Sequence, residues 1–298
     1  LTPFLIPLWS VAAVRRLNLL LITMQVRFAM KRAGMTRALF WAGLPTAALL
    51  LTRIPHVARV YYVQDNYTDH AALLRAADVV ICASIGLAER EAAAARHVAY
   101  IPHGVHPVFL AADFDAPPAV PKRLRDIPRP RIGYWGSLEA LQDTARTAAL
   151  ARMHPEWSFV FIGRVMMDNQ ELAALPNVHF LGYLPMEDIP KYGMHFDIGF
   201  LSFVESDWIT YSCPIKFREY LALGLPVVSP PIIEVQRAYE GEGCIARSVE
   251  EFSACIRRAL ESDNVARRRA RRTLVRDATW EQSARQVAAV LATLEEER

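Results

Sequence analysis

Short apolar runs alternate with longer amphipathic stretches over most of the chain. Between residues 57 and 101 the apolar runs are Val57–Val63, Val79–Ala83 and Val98–Ile101, and helical patterns cover Ala71–Ala77 and Leu87–Ala95. Short apolar runs rich in β-branched residues are typical of strands, and strands that alternate with helices form βαβ units around a parallel sheet. The pattern therefore predicts a Rossmann-like α/β domain.

A proline-rich segment at residues 111–130 has the composition of a linker. The same alternation returns after it, so we predict a second Rossmann-like domain at 128–278, following a first domain at 1–127. A final helix at 279–298 packs back on the first domain, and the ligand cleft lies between the domains at the carboxyl ends of the strands. The predicted strands of the second domain are Arg131–Trp135, Phe159–Ile162, Val178–Leu181, Asp197–Leu201 and Pro226–Ser229.

The length, composition and net charge of the chain limit the classes of protein to which it can belong. A chain of 298 residues with 53% hydrophobic and 22% charged residues is globular and long enough for two domains. Its net charge of +3 gives no reason to expect a nucleic-acid partner. Six arginines crowd Arg267–Arg276, which is either a solvated helix face or a surface attracted to anionic lipid.

Two further apolar stretches, Leu17–Met24 and Leu39–Leu51, are too short or too interrupted to span a bilayer. They are interpreted as core helices or an interfacial face. We therefore expect a cytoplasmic protein that lies peripherally at the inner face of the membrane.

The cysteines and histidines show no metal-ligand spacing. The scatter of the cysteines fits a reducing compartment. The residues concerned are Cys82, Cys213, Cys244 and Cys255, with His103, His154, His179 and His195.

The segment Cys213–Ser229 contains the clearest candidate for a ligand-binding site in the sequence. Pro214 suits a helix start and Gly224 a helix end. Lys216 and Glu219 are three residues apart and share a helix face, where a lysine and backbone N–H groups bind a diphosphate and a carboxylate accepts ribose hydroxyls. The alternative is an ordinary surface helix with an ion pair.

The whole string CPIKFREYLALGLPVVS strongly resembles the donor-site element of the family 4, or group 1, glycosyltransferases, which have the GT-B fold. The resemblance implies that Glu219 binds the nucleotide ribose and Lys216 the phosphates. It extends to Tyr100–Val105, where His103 replaces an asparagine of the family. The resemblance also covers Ile132–Leu138, Asn177–Tyr183 and Thr279–Glu281. It implies that backbone groups of Gly182 and Tyr183 bind the base of the nucleotide.

Several positions depart from the family pattern. Tyr211 stands where many members have a glutamate that touches the donor sugar, within a predicted sugar and phosphate loop at Thr210, Tyr211 and Ser212. Gly136, Ser137 and Asp143 stand where the family has basic residues. We expect the backbone N–H of Ser137 and the side chain of Arg164 to contribute to nucleotide binding, although Arg164 has the alternative of being a plain surface residue.

The resemblance also implies a first domain that lacks its opening strand, Gly-rich loop and helix, so that the chain is N-terminally truncated. Asp65, at the end of a predicted strand, is the first choice for a catalytic base and His70 the second. The alternative for Asp65 is a helix or turn cap, and a retaining enzyme needs no such base.

These features together indicate a transferase that moves a sugar from a nucleoside diphosphate sugar to a cell-surface polysaccharide or a lipid-linked acceptor. No metal and no other cofactor are expected, because the resemblance implies that protein groups hold the diphosphate. The alternatives are a nucleotide-sugar epimerase of the same fold and a truncated, non-catalytic domain that binds nucleotide sugar.

Overall fold

The chain is an α/β protein with two parallel sheets. The computed structural model describes residues 4–8, 10–239 and 241–296. It divides into two compact units, the first formed by Leu1–Ile101 with Val287–Arg298 and the second by Pro102–Gln286. Each unit has its own sheet.

Unit 1 holds a four-stranded parallel sheet in the order β1-β2-β3-β4. Its core consists of apolar side chains of the sheet packed against Val287, Val290, Leu291 and Leu294 from the end of the last helix. The elements are α1 (Ala12–Arg32), β1 (Leu39–Ala42), a 3₁₀ turn (Pro45–Leu50), β2 (Ala58–Val63), α2 (Ala71–Ala76), β3 (Val79–Cys82), α3 (Ile85–Glu91) and β4 (Val98–Tyr100).

Strand β1 corrects one expectation. The stretch Leu39–Leu51 was expected to be a core helix or an interfacial face, but it opens with a strand that pairs Leu39 with Ala58 of β2 and continues into a 3₁₀ turn. Gly43 and Pro45 divide the stretch, because proline suits a helix start and not a continuing strand.

Unit 2 holds a six-stranded parallel sheet in the order β10-β9-β8-β5-β6-β7. Its elements up to β8 are α4 (Pro107–Leu110), α5 (Lys122–Arg125), β5 (Arg131–Trp135), α6 (Thr144–Met153), β6 (Ser158–Ile162), α7 (Gln170–Ala173), β7 (Val178–Phe180), a 3₁₀ turn (Met186–Asp188), α8 (Ile189–Gly193) and β8 (Ile198–Phe200). The later elements are α9 (Asp207–Thr210), α10 (Ile215–Ala222), β9 (Val227–Ser229), α11 (Ile233–Arg237), β10 (Gly243–Ile245), α12 (Val249–Ser262), α13 (Val265–Val275) and α14 (Trp280–Glu296).

The strand order of this sheet reverses between β5 and β8. Successive strands run outward from β5 to β7 on one side and from β8 to β10 on the other. All residues of β5 and β6 are buried, as expected for a parallel sheet covered on both faces. In open α/β sheets, ligands bind at the carboxyl ends of the strands at such a reversal.

The division between the units falls after Ile101, whereas the sequence placed it at 127/128. The turn at residues 102–106 belongs to unit 2 because the N–H of Val105 donates to the carbonyl of Ala278 over 2.7 Å. A Cβ at Gly104 would lie 2.2 Å from the backbone nitrogen of Trp280, so glycine allows this close approach. The final helix α14 has its residues through Gln286 in unit 2 and those from Val287 in unit 1.

The arginines of α13 serve intramolecular contacts. Arg271 bonds to Asp263, to Glu242 and to the carbonyl of Gly224. Arg272 donates to carbonyls at both Ala222 and Ala112, which ties α13 to the end of α10 and to the proline-rich segment.

The cysteines form one pair. A disulfide joins Cys244 in β10 to Cys255 in α12, with their Cα atoms 5.8 Å apart, and Cys82 and Cys213 are free and buried. The pairing departs from the reduced state expected from the scatter of the cysteines, because the fold places an edge strand beside the following helix. Within the part of the chain that the structure describes, no helix is both long and apolar enough to cross a membrane.

Candidate functional site

Two glycines bring the chain together at the carboxyl ends of β5 and β6. Gly136 has φ of +127° and Gly163 has φ of +144°, a region that disfavours other residues. A Cβ at Gly163 would lie 2.0 Å from the carbonyl oxygen of Gly136, and a Cβ at Gly136 would lie 2.4 Å from Cε of Lys216. The strand ends and the start of α10 therefore meet at one point of the sheet reversal.

Lys216 supplies a cation at this point. It occupies the first turn of α10, and its Nζ lies 5.4 Å from the centre of the Tyr134 ring. Burial lowers the pKa of the Lys216 ammonium group, while the carboxylates of Glu219 and Glu139 raise it. A partly buried ammonium beside glycine backbone is suited to bind a phosphate oxygen.

Glu219 lies one turn further along α10 and is only 3% exposed. The indole N–H of Trp135 donates to its Oε2 over 2.7 Å. Burial raises the pKa of the Glu219 carboxyl, and the Trp135 hydrogen bond, Lys216 and His106 lower it. This burial excludes the alternative of a solvated surface ion pair, and the indole holds one oxygen in a fixed orientation.

Arg164 and Tyr183 lie together at the ends of β6 and β7. The Arg164 guanidinium lies 5.0 Å from the centre of the Tyr183 ring, which is 62% exposed. The loops are joined because the N–H of Gly163 donates to the carbonyl of Gly182 over 2.9 Å. Gly182 itself has φ of +72°. An exposed ring and guanidinium form a surface on which a planar base can stack.

The loop Thr210–Ser212 runs from the end of α9 to the start of α10. The hydroxyl of Ser212 donates to the carbonyl of Ile209 over 2.8 Å, and the N–H of Tyr211 donates to that of Asp207. All three loop residues are partly exposed. Ser137 is exposed, and its carbonyl accepts from the Tyr134 hydroxyl, which places it on the same strand-end loop as Gly136.

Asp143 has a local structural role. Its carboxylate accepts the N–H of Arg146 over 2.8 Å and caps the start of α6. This explains why an acid stands at this position, since an aspartate before a helix satisfies a backbone donor.

Sequence reasoning missed Trp135, Tyr134 and His106 as neighbours of the site. The signal for Trp135 and Tyr134 was present, since both directly precede Gly136 at the end of a predicted strand. Nothing in the sequence pattern pointed to His106.

In unit 1, Asp65 follows β2 and is partly buried. Its carbonyl accepts the N–H of Tyr67, which marks a turn, and burial raises the pKa of its carboxyl. The next helix begins at Ala71 with His70 at its N-cap position, so Asp65 is not the cap of that helix.

His70 is buried between two side chains. Its Nδ1 lies 3.0 Å from the Tyr61 hydroxyl and its Nε2 lies 3.6 Å from a carboxylate oxygen of Glu91. Burial lowers the pKa of the imidazole, with Glu91 raising it and Arg90 lowering it. Because both ring nitrogens face protein groups, the geometry favours Asp65 over His70 for contact with a substrate.

Among residues 4–8, 10–239 and 241–296, no group of three or more histidine, cysteine or acidic side chains is arranged to hold a metal ion. The expectation that no metal is needed stays a prediction.

The chain is similar to known glycosyltransferases. The family described as glycosyl transferases group 1 matches residues 129–262. TuaH of Bacillus subtilis (strain 168), whose name assigns it to teichuronic acid biosynthesis as a glycosyltransferase, is 27% identical over 164 residues. That match covers 52% of this chain and 41% of TuaH, so the chain spans about two fifths of this relative.

Solved structures share the fold. Anabaena Alr3699/HepE in complex with UDP aligns with a TM-score of 0.72 at 16% identity, covering 93% of this chain and 84% of that chain. The complex of the same protein with UDP-glucose aligns with a TM-score of 0.66 at 15% identity, covering 86% of this chain and 79% of that chain. Sucrose-phosphate synthase from Thermosynechococcus elongatus aligns with a TM-score of 0.73 at 16% identity, covering 94% of this chain and 79% of that chain. The fold is that of the GT-B glycosyltransferases.

Proposed function

We propose that this chain, whose residues 129–262 match the family described as glycosyl transferases group 1, moves a sugar from a nucleoside diphosphate sugar to a saccharide acceptor of a cell-surface polysaccharide or a glycolipid. The observation that carries the proposal is the meeting of Gly136, Gly163 and Lys216 at the sheet reversal, with Glu219 buried one turn away. The crystal structures of HepE with UDP and UDP-glucose support a nucleotide-sugar ligand for this fold.

Each group in unit 2 has one task in this proposal. Lys216 and the backbone N–H of Ser137 bind the diphosphate, and the carboxylate of Glu219 accepts hydrogen bonds from the ribose hydroxyls. Arg164 and Tyr183 flank the base, with backbone groups of Gly182 at its edge. Residues 210–212 contact the donor sugar through hydroxyl and backbone groups, since Tyr211 brings no carboxylate there.

We expect protein groups, and not a metal ion, to neutralise the negative charge of the diphosphate. EDTA should therefore leave the rate of sugar transfer unchanged. Loss of activity in EDTA that added Mg²⁺ or Mn²⁺ restores would refute this part.

Asp65 is proposed as the base. Its carboxylate takes the proton of the acceptor hydroxyl while the acceptor oxygen bonds to the anomeric carbon. The bond from that carbon to the diphosphate oxygen breaks, and the nucleoside diphosphate leaves. A carboxylate with a raised pKa is the stronger base, which supports Asp65 for this role.

Titration calorimetry with UDP and GDP tests the nucleotide site. Glu219→Gln should weaken binding by about 10- to 100-fold, because a charge-assisted hydrogen bond contributes about 1.5–3 kcal/mol. Lys216→Met should weaken it comparably. The matched controls are Glu187→Gln and Lys191→Met, which alter exposed side chains of the same unit. Equal affinity in wild type and Glu219→Gln would refute the ribose role.

Product analysis separates transfer from the other two candidates. A transferase releases free nucleoside diphosphate only when an acceptor is supplied, whereas an epimerase returns an isomerised nucleotide sugar without one. Binding with neither product would identify a non-catalytic domain.

A cytoplasmic location at an anionic membrane surface is part of the proposal. Eight lysine and arginine residues and no acid precede Asp65. Helix α1 exposes Leu17, Leu20, Met24 and Phe28, the last at 67%, while Asn18 is buried. Five of these basic residues lie in α1, so this helix combines exposed apolar area with positive charge, as interfacial helices do.

Co-sedimentation with vesicles tests this location. Phe28→Glu should reduce binding to phosphatidylglycerol vesicles, and Leu274→Glu on α13, which alters another exposed leucine, should not. Equal binding to phosphatidylglycerol and neutral phosphatidylcholine vesicles would contradict an electrostatic contribution.

A further inference from the structure

The turn at residues 102–106 and the segment before α10 are joined by a reciprocal pair of hydrogen bonds. A ring N–H of His103 donates to the carbonyl of Cys213, and the backbone N–H of His103 donates to the Cys213 sulfur. Each residue thus contributes one side-chain and one backbone group, which fixes the distance and the orientation between the two segments.

Cys213 is held rigidly on its other side. Its sulfur lies 3.2 Å from Nη1 of Arg218 and 4.0 Å from a carboxylate oxygen of Glu234. Arg218 and Glu234 form an ion pair with side chains 1% and 0% exposed. The His103 ring packs against the Trp280 ring, with 5.7 Å between centroids. The carbonyl that His103 holds therefore belongs to a fixed part of unit 2.

The position of Cys213 in the chain connects this contact to the nucleotide site. Cys213 directly follows the loop Thr210–Ser212 and lies three residues before Lys216. The same turn also carries His106, which is near enough to Glu219 to lower the pKa of that carboxyl. One five-residue turn thus faces both the sugar loop and the ribose carboxylate.

We propose that His103 is a positioning residue for the donor sugar, which holds the loop Thr210–Ser212 against the diphosphate site by donating a ring N–H to the Cys213 carbonyl. This inference rests on the donor role proposed above for that loop. His103 takes no part in bond making, and its contribution is the preorganisation of groups that contact the sugar.

Asparagine offers the same chemistry at position 103, because its amide also has an N–H group to donate. Leucine fills a similar volume and donates nothing. A comparison of these two substitutions therefore separates the hydrogen bond from simple packing.

Two measurements on the full chain test the proposal. Hydrogen exchange of the amides at residues 210–213 reports the loop directly, and calorimetry compares UDP-glucose with UDP. In His103→Leu we expect exchange at these amides to rise and UDP-glucose affinity to fall by about fivefold each, with UDP affinity changed less, since one hydrogen bond is lost. His103→Asn should restore both readouts to within about twofold of wild type.

The matched control is His195→Leu. His195 is likewise a buried histidine of unit 2, but it lies beside the backbone of Pro118 and Ala119 in the proline-rich segment. Its replacement should leave exchange at 210–213 and the affinity for UDP-glucose unchanged.

The outcomes distinguish this inference from the proposed function. Unchanged exchange at 210–213 in His103→Leu overturns the inference whatever the protein binds. Faster exchange with unaltered UDP-glucose affinity overturns the positioning role. A wild-type protein that binds neither UDP, GDP nor their glucose conjugates refutes the donor site itself, and the exchange data then describe a structural contact only.

Discussion

At the scale of single residues, the hydrogen bond between Trp135 and Glu219 is the main interaction at the candidate nucleotide site of unit 2. The indole N–H compensates part of the cost of burying a carboxylate that is 3% exposed. An uncompensated buried charge shifts its pKa toward the neutral form. The Trp135 donor thus opposes the effect of burial and favours the ionised carboxylate, which is the form suited to accept hydrogen bonds from ribose hydroxyls.

Trp135→Phe should therefore weaken UDP binding by about tenfold near pH 7, since a hydrogen bond to a charged group is lost. Burial already raises the pKa of the Glu219 carboxyl, and loss of the donor raises it further. The protonated form then persists to higher pH, so the deficit should grow as the pH falls from 8 to 5. A Kd for UDP measured across this range checks the sign. A deficit that shrinks toward acid would contradict it.

Residue identity at the site was partly predictable. Lys216 and Glu219 followed from spacing and resemblance, because the first turns of a helix fix which side chains share a face. The hydrogen bond from Trp135 and the His103 contact did not follow, since both join residues far apart in sequence whose approach depends on packing.

At the scale of elements, the loops after β5 and β6 are set by backbone proximity. Gly163→Ala would place a methyl group 2.0 Å from the Gly136 oxygen at φ of +144°. The resulting clash and strain should destabilise the protein by about 3 kcal/mol or more and abolish nucleotide binding.

Gly241→Ala is the control for that substitution. Gly241 has φ of +83°, and a Cβ there would meet no atom within 4 Å, so only backbone strain of about 1 kcal/mol remains. Urea unfolding of the two variants checks the difference. Equal midpoints would show that proximity to Gly136 does not matter.

Helix α13 is fixed by a buried arginine. Arg271→Met removes bonds to Asp263, Glu242 and the Gly224 carbonyl, and it leaves Arg268 as the remaining cationic partner of Asp263. We expect a loss of at least about 1.5–3 kcal/mol in the free energy of unfolding, which is the contribution of a hydrogen bond to a charged group. The exposed Arg276→Met should cost less than about 1 kcal/mol. Thermal and urea unfolding test both variants.

The elements themselves were predicted unequally. Strands β5, β6 and β9 were found because continuous apolar runs bounded by glycine or proline are typical of buried strands. Strand β1 was missed because its apolar run continues into a 3₁₀ turn, and β10 because Gly243–Ile245 is short and lies at a sheet edge. A short edge strand contains too few residues for an alternation of apolar and polar positions to be recognised.

At the scale of the whole molecule, four histidines share one sign of pKa shift. Burial lowers the pKa of His70, His103, His179 and His195. A histidine whose folded pKa lies below its unfolded value contributes stability above about pH 6.5, and this contribution is lost as the pH falls through the unfolded value toward the folded one. Asp65 and Glu219 act oppositely, because burial raises the pKa of both carboxyls.

The urea midpoint should therefore fall between pH 7.5 and pH 5.5. The decline should be shallower in a His70→Gln, His195→Gln double variant, which removes two of the titrating groups. A midpoint that rises over this interval would contradict the direction of the histidine shifts. His97→Gln, which changes an exposed histidine of unit 1, is the control.

The turn at residues 102–106 also bears on synthesis of the chain. The hydroxyl of Ser283 donates to the carbonyl of Pro102, across 181 positions of sequence. A ribosome that adds about 5–20 residues per second needs about 10 to 35 seconds between these two points. Throughout that interval, the turn at residues 102–106 of the nascent chain lacks the contact with Ser283. A chaperone or a protease can therefore reach this turn before that contact has formed.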